Sequence, residues 1–241
     1  MTNEDLLSIA KAAMMLGVSI DTLRRWDKNA TLRAMRSPGG HRYYSREEIE
    51  RYSADIFSLA RVWAESIVAQ DLPSEQYCES QDRFRARLDT MAVLLDRNEH
   101  TKDLAPLLVA VAGEIGNNSF DHNIGNWPDV PGIFYSYDLN KRVIVMADRG
   151  LGIRATLARI RPGLEDDIQA LTVAMTERLS GRAPERRGNG LKFVREVMEN
   201  YPISVSLQSG IAVAEKLKIG GKLRISLANR NLRGTLTRIT Y

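Results

Sequence analysis

Apolar positions recur along this 241-residue chain with two different periods, and the change of period marks out its parts. From Ile9 to Leu16, Ile9, Ala12, Ala13 and Leu16 form one helical stripe. Ser8 is placed to cap its start and Gly17 to end it. A second helix starts near Ser19 or Asp21 and turns Leu23 and Trp26 inward. Two short helices about a Gly-Val-Ser turn predict a helix-turn-helix. Arg36 to Tyr44 then reads as a hairpin wing built on Ser37-Pro38-Gly39-Gly40, with Tyr43 facing the core and Tyr44 facing out. Ser45 and Glu48 are spaced as a capping box for another helix.

Residues 53–100 read as helical. A stripe of Ile56, Leu59, Ala60, Trp63, Ile67 and Val68 is interrupted at Pro73, and a second helix runs from Ser80 to Leu95 with Phe84, Leu88, Met91 and Leu95 on one face. These helices could pair two subunits or pack on the domain that follows. Beyond residue 101 the two periods alternate. Helices are predicted at Leu104–His122 and Gly190–Met198. Strands are predicted at Ile133–Tyr137, Val143–Ala147, Ile203–Leu207, Leu223–Leu227 and Thr235–Tyr241. That order implies helices on one face of a mixed sheet, and an α+β class for the whole.

Composition narrows the setting. Hydrophobic residues make up 44% of the chain, enough for a buried core, yet no apolar run approaches the roughly 18 residues that span a bilayer. The N-terminal segment has no signal-peptide pattern, and Cys78 is the lone cysteine. A soluble cytoplasmic protein with no membrane partner is expected. The net charge of +4 is modest, but Thr22–Arg46 holds seven basic residues against one acid, Asp27. Such a patch is the footprint of phosphate binding.

The residues carrying that charge also carry a resemblance. Ile9-Ala-Lys-Ala-Ala13, Leu16-Gly-Val-Ser19, Thr22-Leu-Arg-Arg-Trp26 and Gly39-Gly-His-Arg-Tyr43 resemble the winged helix-turn-helix of MerR and excisionase-like regulators. The resemblance implies double-stranded DNA as partner, with the Asp21–Lys28 helix in the major groove. Thr22, Arg24, Arg25 and Lys28 are then groove or phosphate contacts, and Arg36, His41, Arg42 and Tyr44 are wing contacts. Trp26 is read as core. A homodimer is a family-level expectation.

Three later segments have spacings suited to nucleotide chemistry. Glu114, Asn118 and His122 recur at i, i+4 and i+8 along one helix. A carboxylate there could orient or deprotonate water, and an amide oxygen suits Mg²⁺. Asp148 ends a strand just before Gly150, Gly152 and Ile153; its carboxylate can accept from an exocyclic amine. Arg187, Gly188, Asn189, Gly190 and Leu191 open a helix whose first amides can meet phosphate.

This ordered set resembles the boxes of the GHKL (Bergerat-fold, histidine-kinase-like) ATPases, with Gly234-Thr235 resembling the last of them. The resemblance implies ATP or ADP and Mg²⁺ as cofactors, Glu114 as general base, Asn118 as metal ligand and Asp148 as the reader of adenine. It also implies a lid over residues 154–187, hinged at Pro162-Gly163 and Ser180-Gly181. Asp121 departs from the basic residue that many kinases of the group carry nearby.

The chain thus divides into a DNA-binding domain at 1–52, a helical linker or dimerisation region at 53–100 and an ATP-binding domain at 101–241. The favoured function is a DNA-binding regulator in which nucleotide occupancy modulates DNA binding or dimerisation. The alternative is a Ser/Thr protein kinase of the anti-sigma-factor type acting on a protein partner. Self-phosphorylation on His is disfavoured, because His100 falls at the edge of the helical region with Glu99 before it. A motor-like DNA ATPase is disfavoured because no transducer segment follows Thr235 before Tyr241.

Overall fold

The computed structural model describes residues 6–16, 20–28, 30, 32–53, 56–177, 190–216 and 221–241, without the side chains of residues 14–16, 22 and 50–53. The chain forms two compact units. One comprises residues up to Leu59 together with Asp71–Tyr77; the other comprises Ala60–Gln70 and Cys78–Tyr241.

The first unit is a three-stranded antiparallel sheet packed with short helices. Strands β1 (Leu6–Ser8), β2 (Met35–Arg36) and β3 (Arg42–Ser45) lie in the order β1-β3-β2. Helices α1 (Ile9–Leu16), α2 (Ile20–Lys28) and α3 (Arg46–Ser53) complete it. The predicted caps are present: Ser8 Oγ accepts from Lys11 N and Ser45 Oγ from Glu48 N, both at 3.4 Å. The predicted Gly17-Val-Ser turn lies outside the described residues. Leu7, Ala12, Leu23, Trp26, Leu32, Tyr44 and Ile49 form the core.

The expectation for the wing is corrected by one residue. Tyr44 is fully buried and Tyr43 is partly exposed, because Tyr44 faces α2 and donates its hydroxyl to Leu23 O at 3.1 Å. Side chains alternate along a strand, so a single misplaced position inverts both tyrosines.

Helix α4 (Ile56–Glu65) follows α3 along the chain. The second unit then holds a sheet in the order β4-β5-β6-β8-β7, from β4 (Tyr77–Cys78), β5 (Ile133–Asp138), β6 (Val143–Asp148), β7 (Ser204–Glu215) and β8 (Arg224–Thr240). The pairings β5–β6, β6–β8 and β7–β8 are all antiparallel, where a mixed sheet was expected. The reason is the connections. A short turn joins β5 to β6, and β7 returns directly as β8. The two C-terminal strands read separately in the sequence are this single long β8.

Helices α5 (Gln81–Asp96), α6 (Ala105–Asn123), α7 (Gly152–Ala158), α8 (Asp167–Thr176) and α9 (Gly190–Asn200) belong to the same unit. Phe84, Leu88, Met91 and Leu95 of α5 pack in one core with Leu108, Val111, Ala112 and Ile115 of α6. The apolar face of α5 is thus part of the second unit's own core. Tyr135, Met146 and Leu207 lie on neighbouring strands and join that core. They define the sheet face toward the helices.

Candidate functional site

Strand register builds the floor of a cavity in the second unit. Ile133 lies opposite Asp148, Asp148 opposite Thr235, and Thr235 opposite Ser209, so one row crosses four strands. Period two along β6 puts Asp148 on the same face as Ile144 and Met146, facing the helices. Thr235 Oγ1 donates to Asp148 Oδ2 at 2.5 Å, and Ser119 Oγ of α6 donates to the same oxygen at 2.8 Å. Gly150 N donates to Oδ1 at 2.8 Å. Burial pushes the Asp148 carboxyl above its ordinary range, and the donors from Thr235, Ser119 and Gly150 oppose that rise only in part. An ionised carboxylate offers about four acceptor positions. Thr235 N joins the three donors named, so four donors share the two oxygens.

Around this floor is a cavity of about 90 Å³. Ile115, Asn118, Ser119, His122 and Asn123 of α6 line it at helical spacing, and Gly152, Ile153, Thr156 and Leu157 of α7 close another side. Leu191, Leu207 and Thr235 complete the wall. The loop from Asp148 into α7 is held at two points, and α6 fixes the side chain that makes one of them. Leu151 N donates to Asn123 Oδ1 and Ile153 N to Ser209 Oγ, both at 2.9 Å, and Asn123 Nδ2 donates to Ser119 O at 2.8 Å. Gly234, at φ +72°, packs against this loop so closely that an added Cβ would lie 2.3 Å from Asp148 O.

Glu114 lies at the rim and is exposed. Its carboxylate abuts the start of α9: a Cβ on Gly190 would sit 2.3 Å from Glu114 Oε2 and 3.4 Å from Asn118 Nδ2. The fold therefore gathers Glu114, Asn118, His122, Asp148, Gly150, Gly152, Ile153, Gly190, Leu191 and Thr235 into one neighbourhood. Arg187, Gly188 and Asn189 lie outside the described residues, as does the expected lid segment from residue 178 onward, including Ser180-Gly181. The described part of that segment contains α8, and Arg154 Nη2 anchors the loop before it through Glu165 O at 2.6 Å. His100 is exposed in the turn after α5.

Sequence reasoning did not find Ser119, Asn123 or Ser209. Ser119 and Asn123 had a signal, since they stand one position beyond Asn118 and His122 on the same helix. Ser209 had none before the register was known. Among the described residues no cluster of three or more His, Cys, Asp or Glu could hold a metal by itself.

The first unit presents its charges on α2 and the wing. Asp27 organises them. Its Oδ2 accepts from Arg42 Nε at 2.7 Å and Arg36 Nη2 at 2.9 Å, while Oδ1 accepts from Ala34 N at 3.0 Å. The Arg42 hydrogen bond, and then that of Ala34 N, hold the Asp27 carboxyl below its usual value. Arg24 pairs with Asp21 at 2.8 Å on the exposed side of α2. Arg25 and Lys28 are exposed on the same helix, and His41 is exposed at the wing tip. Thr22 lies in α2, with its side chain outside the described residues.

These elements match a known family model, that of the MerR HTH family regulatory protein, over residues 7–53. Residues 7–53 are a MerR-family helix-turn-helix domain. A MerR-type helix-turn-helix suggests a DNA-binding transcriptional regulator, and the family implies double-stranded DNA as partner. No curated protein matches the chain. Within the MerR-family domain, Asp27 ties Arg36 and Arg42 of the wing to α2. Its one negative charge offsets one of the two guanidiniums while tying the wing to α2. No helix of the described residues is long and apolar enough to cross a membrane.

Proposed function

We propose that this protein is a transcriptional regulator whose second unit binds an adenine nucleotide, with occupancy of that cavity altering DNA binding by the MerR-family domain. The observation that carries the reading is the Asp148 carboxylate, fully buried at the end of β6 and lining an otherwise largely apolar cavity. A carboxylate lining the cavity suits an exocyclic amine. Ile115, Ile153, Leu157, Leu191 and Leu207 supply flat apolar walls for a base.

The residues present also fit the polyphosphate end. Glu114 and Asn118 lie together against the first residue of α9, and a helix start favours anions. With no self-sufficient metal cluster among the described residues, Mg²⁺ would arrive with the phosphates and take one amide oxygen from Asn118. Glu114 could then orient a water. When bound, the metal and nucleotide would supply charge neutralisation and a leaving group; the chain supplies position and an exposed carboxylate.

The test is calorimetric titration of Mg-ATP and Mg-ADP into the full chain, beside Asp148→Asn. Saturable binding that the substitution abolishes supports the reading, and DNA affinity with and without nucleotide follows. No saturable binding by the wild type overturns it and leaves a DNA-binding protein with a cavity of other use.

A further inference from the structure

The residue after Asp148 points the other way. Arg149 is wholly buried, with a relative exposure of 0%. Its Nε and Nη2 donate to Asp129 Oδ2 at 2.9 and 2.6 Å. Its Nη1 donates to Trp63 O and, at 3.5 Å, to Ala64 O; Nη2 donates to Ile67 O at 3.4 Å. The guanidinium also stands 5.8 Å from the centre of the Trp63 ring. Trp63 and Ala64 belong to the last turn of α4, and Ile67 lies just past its end. The final carbonyls of a helix have no partner within it and carry the negative end of its dipole. A planar fork of donors can hold several of them at once, which an ammonium cannot.

Burying a guanidinium on one carboxylate is costly, and capping a helix end requires no such residue. Its position suggests what the arrangement does. Asp148 and Arg149 share a peptide bond at the mouth of β6, and period two sends one side chain into the cavity and the other onto α4. Asp129, the anchor of Arg149, follows α6, the helix that brings Asn118, Ser119 and Asn123 to the cavity. Arg149 and its anchor Asp129 thus both adjoin elements that wall the cavity, while Arg230 of β8 reaches Glu65 at the end of α4 at 3.4 Å. Along the chain, α4 comes directly after the MerR-family domain.

We infer that Arg149 is a coupling residue: a nucleotide drawn onto Asp148 resets the Arg149 peptide and thereby tightens or releases the C-terminal end of α4. This rests on the nucleotide reading of the cavity. The signal passes through a main-chain unit that both side chains share, so it needs no large movement of the sheet.

Hydrogen exchange of residues 56–67, with and without Mg-ADP, tests the inference in the full-length wild type and in Arg149→Lys, with calorimetry on the same samples. In the wild type, ADP is expected to change exchange at the α4 end by about fivefold or more, a usual size for coupling between sites. In Arg149→Lys, ADP still binds but exchange across 56–67 no longer responds. Calorimetric binding with unchanged wild-type exchange overturns the coupling alone, as does an unaltered response in the variant. Absence of calorimetric binding overturns the nucleotide reading and this inference with it. Should Arg149→Lys fail to fold, Trp63 can be made the sole tryptophan by Trp26→Phe and Trp127→Phe. A flat emission titration in that background, with ADP bound by calorimetry, overturns the coupling; an emission change supports it.

Discussion

Tyr44 of the wing strand donates its hydroxyl to the main-chain carbonyl of Leu23 in α2, at 3.1 Å, from a fully buried position. The bond fixes β3 against α2 at the level of the core. Tyr44→Phe keeps the ring and removes the donor, so a loss of about 1 kcal/mol is expected. Urea unfolding should show that loss. DNA affinity at temperatures where the variant stays folded should match wild type, and a large affinity loss there would mean that Tyr44 reaches DNA after all.

Lys28 is exposed at the end of α2. If it neutralises a phosphate, Lys28→Ala weakens binding to all DNA sequences alike and lowers the slope of log affinity against log salt by about 0.9. Anisotropy titrations at several salt concentrations measure both. A loss confined to one DNA sequence would assign Lys28 to a base edge.

Asp27 links acid stability to the wing. Its carboxyl titrates below the ordinary value of 3.8 because Arg42 and Ala34 N bind the charged form. A carboxyl lowered on folding contributes stability that is present above the unfolded pKa and disappears as pH falls through the folded one. The wild type should therefore lose stability of this unit below about pH 4, and Asp27→Asn should lose less over the same interval. Equal acid dependence in the two proteins would contradict the assignment.

Asp148 has the opposite sign. Burial raises its carboxyl, so ionisation disfavours the folded state, and this contribution to stability falls as pH rises through the folded pKa. The ionised form accepts from an adenine amine more strongly than the protonated carboxyl. ADP affinity should therefore weaken on acidification at a higher pH than an ordinary carboxylate would give. Thr235→Val removes a donor that lowers the pKa, and should shift that midpoint upward. Calorimetry across the pH range gives both midpoints; an unchanged midpoint in the variant would place the titration elsewhere.

Gly234 has a backbone φ of +72° and no room for a side chain. Gly234→Ala sets a methyl group 2.3 Å from Asp148 O and must displace the main chain. A destabilisation of about 1–3 kcal/mol is expected from the strained backbone, with loss of ADP binding. Unchanged stability would show that the loop yields freely.

Much of this was legible along the chain because it depends on neighbours in sequence. The α6 helix was read one residue short of its observed end, and Ser8 and Ser45 were recognised as caps, since periodicity and capping are local. Glu114, Asn118, Asp148 and Gly190 were recognised as chemistry by residue type and order, and the fold brings them together. Alternation, however, states only that Tyr43 and Tyr44 face opposite ways. Which one is buried depends on where α2 lies, and there the reading was inverted.

Other relationships existed only once the strands had paired. Asp148, Thr235 and Ser209 lie in one row because β6, β8 and β7 are in a particular antiparallel register, although residues 148 and 235 stand 87 positions apart. Nothing in the residues flanking Arg149 marks it as buried. Its burial follows from Asp129 and the end of α4, which approach from 20 and more than 80 positions away. The sequence by itself determined the elements and the chemical inventory, because those arise from local backbone preference and side-chain type. Tertiary structure decided which groups share a carboxylate and which charge is buried, because desolvation and hydrogen bonding depend on distance in space.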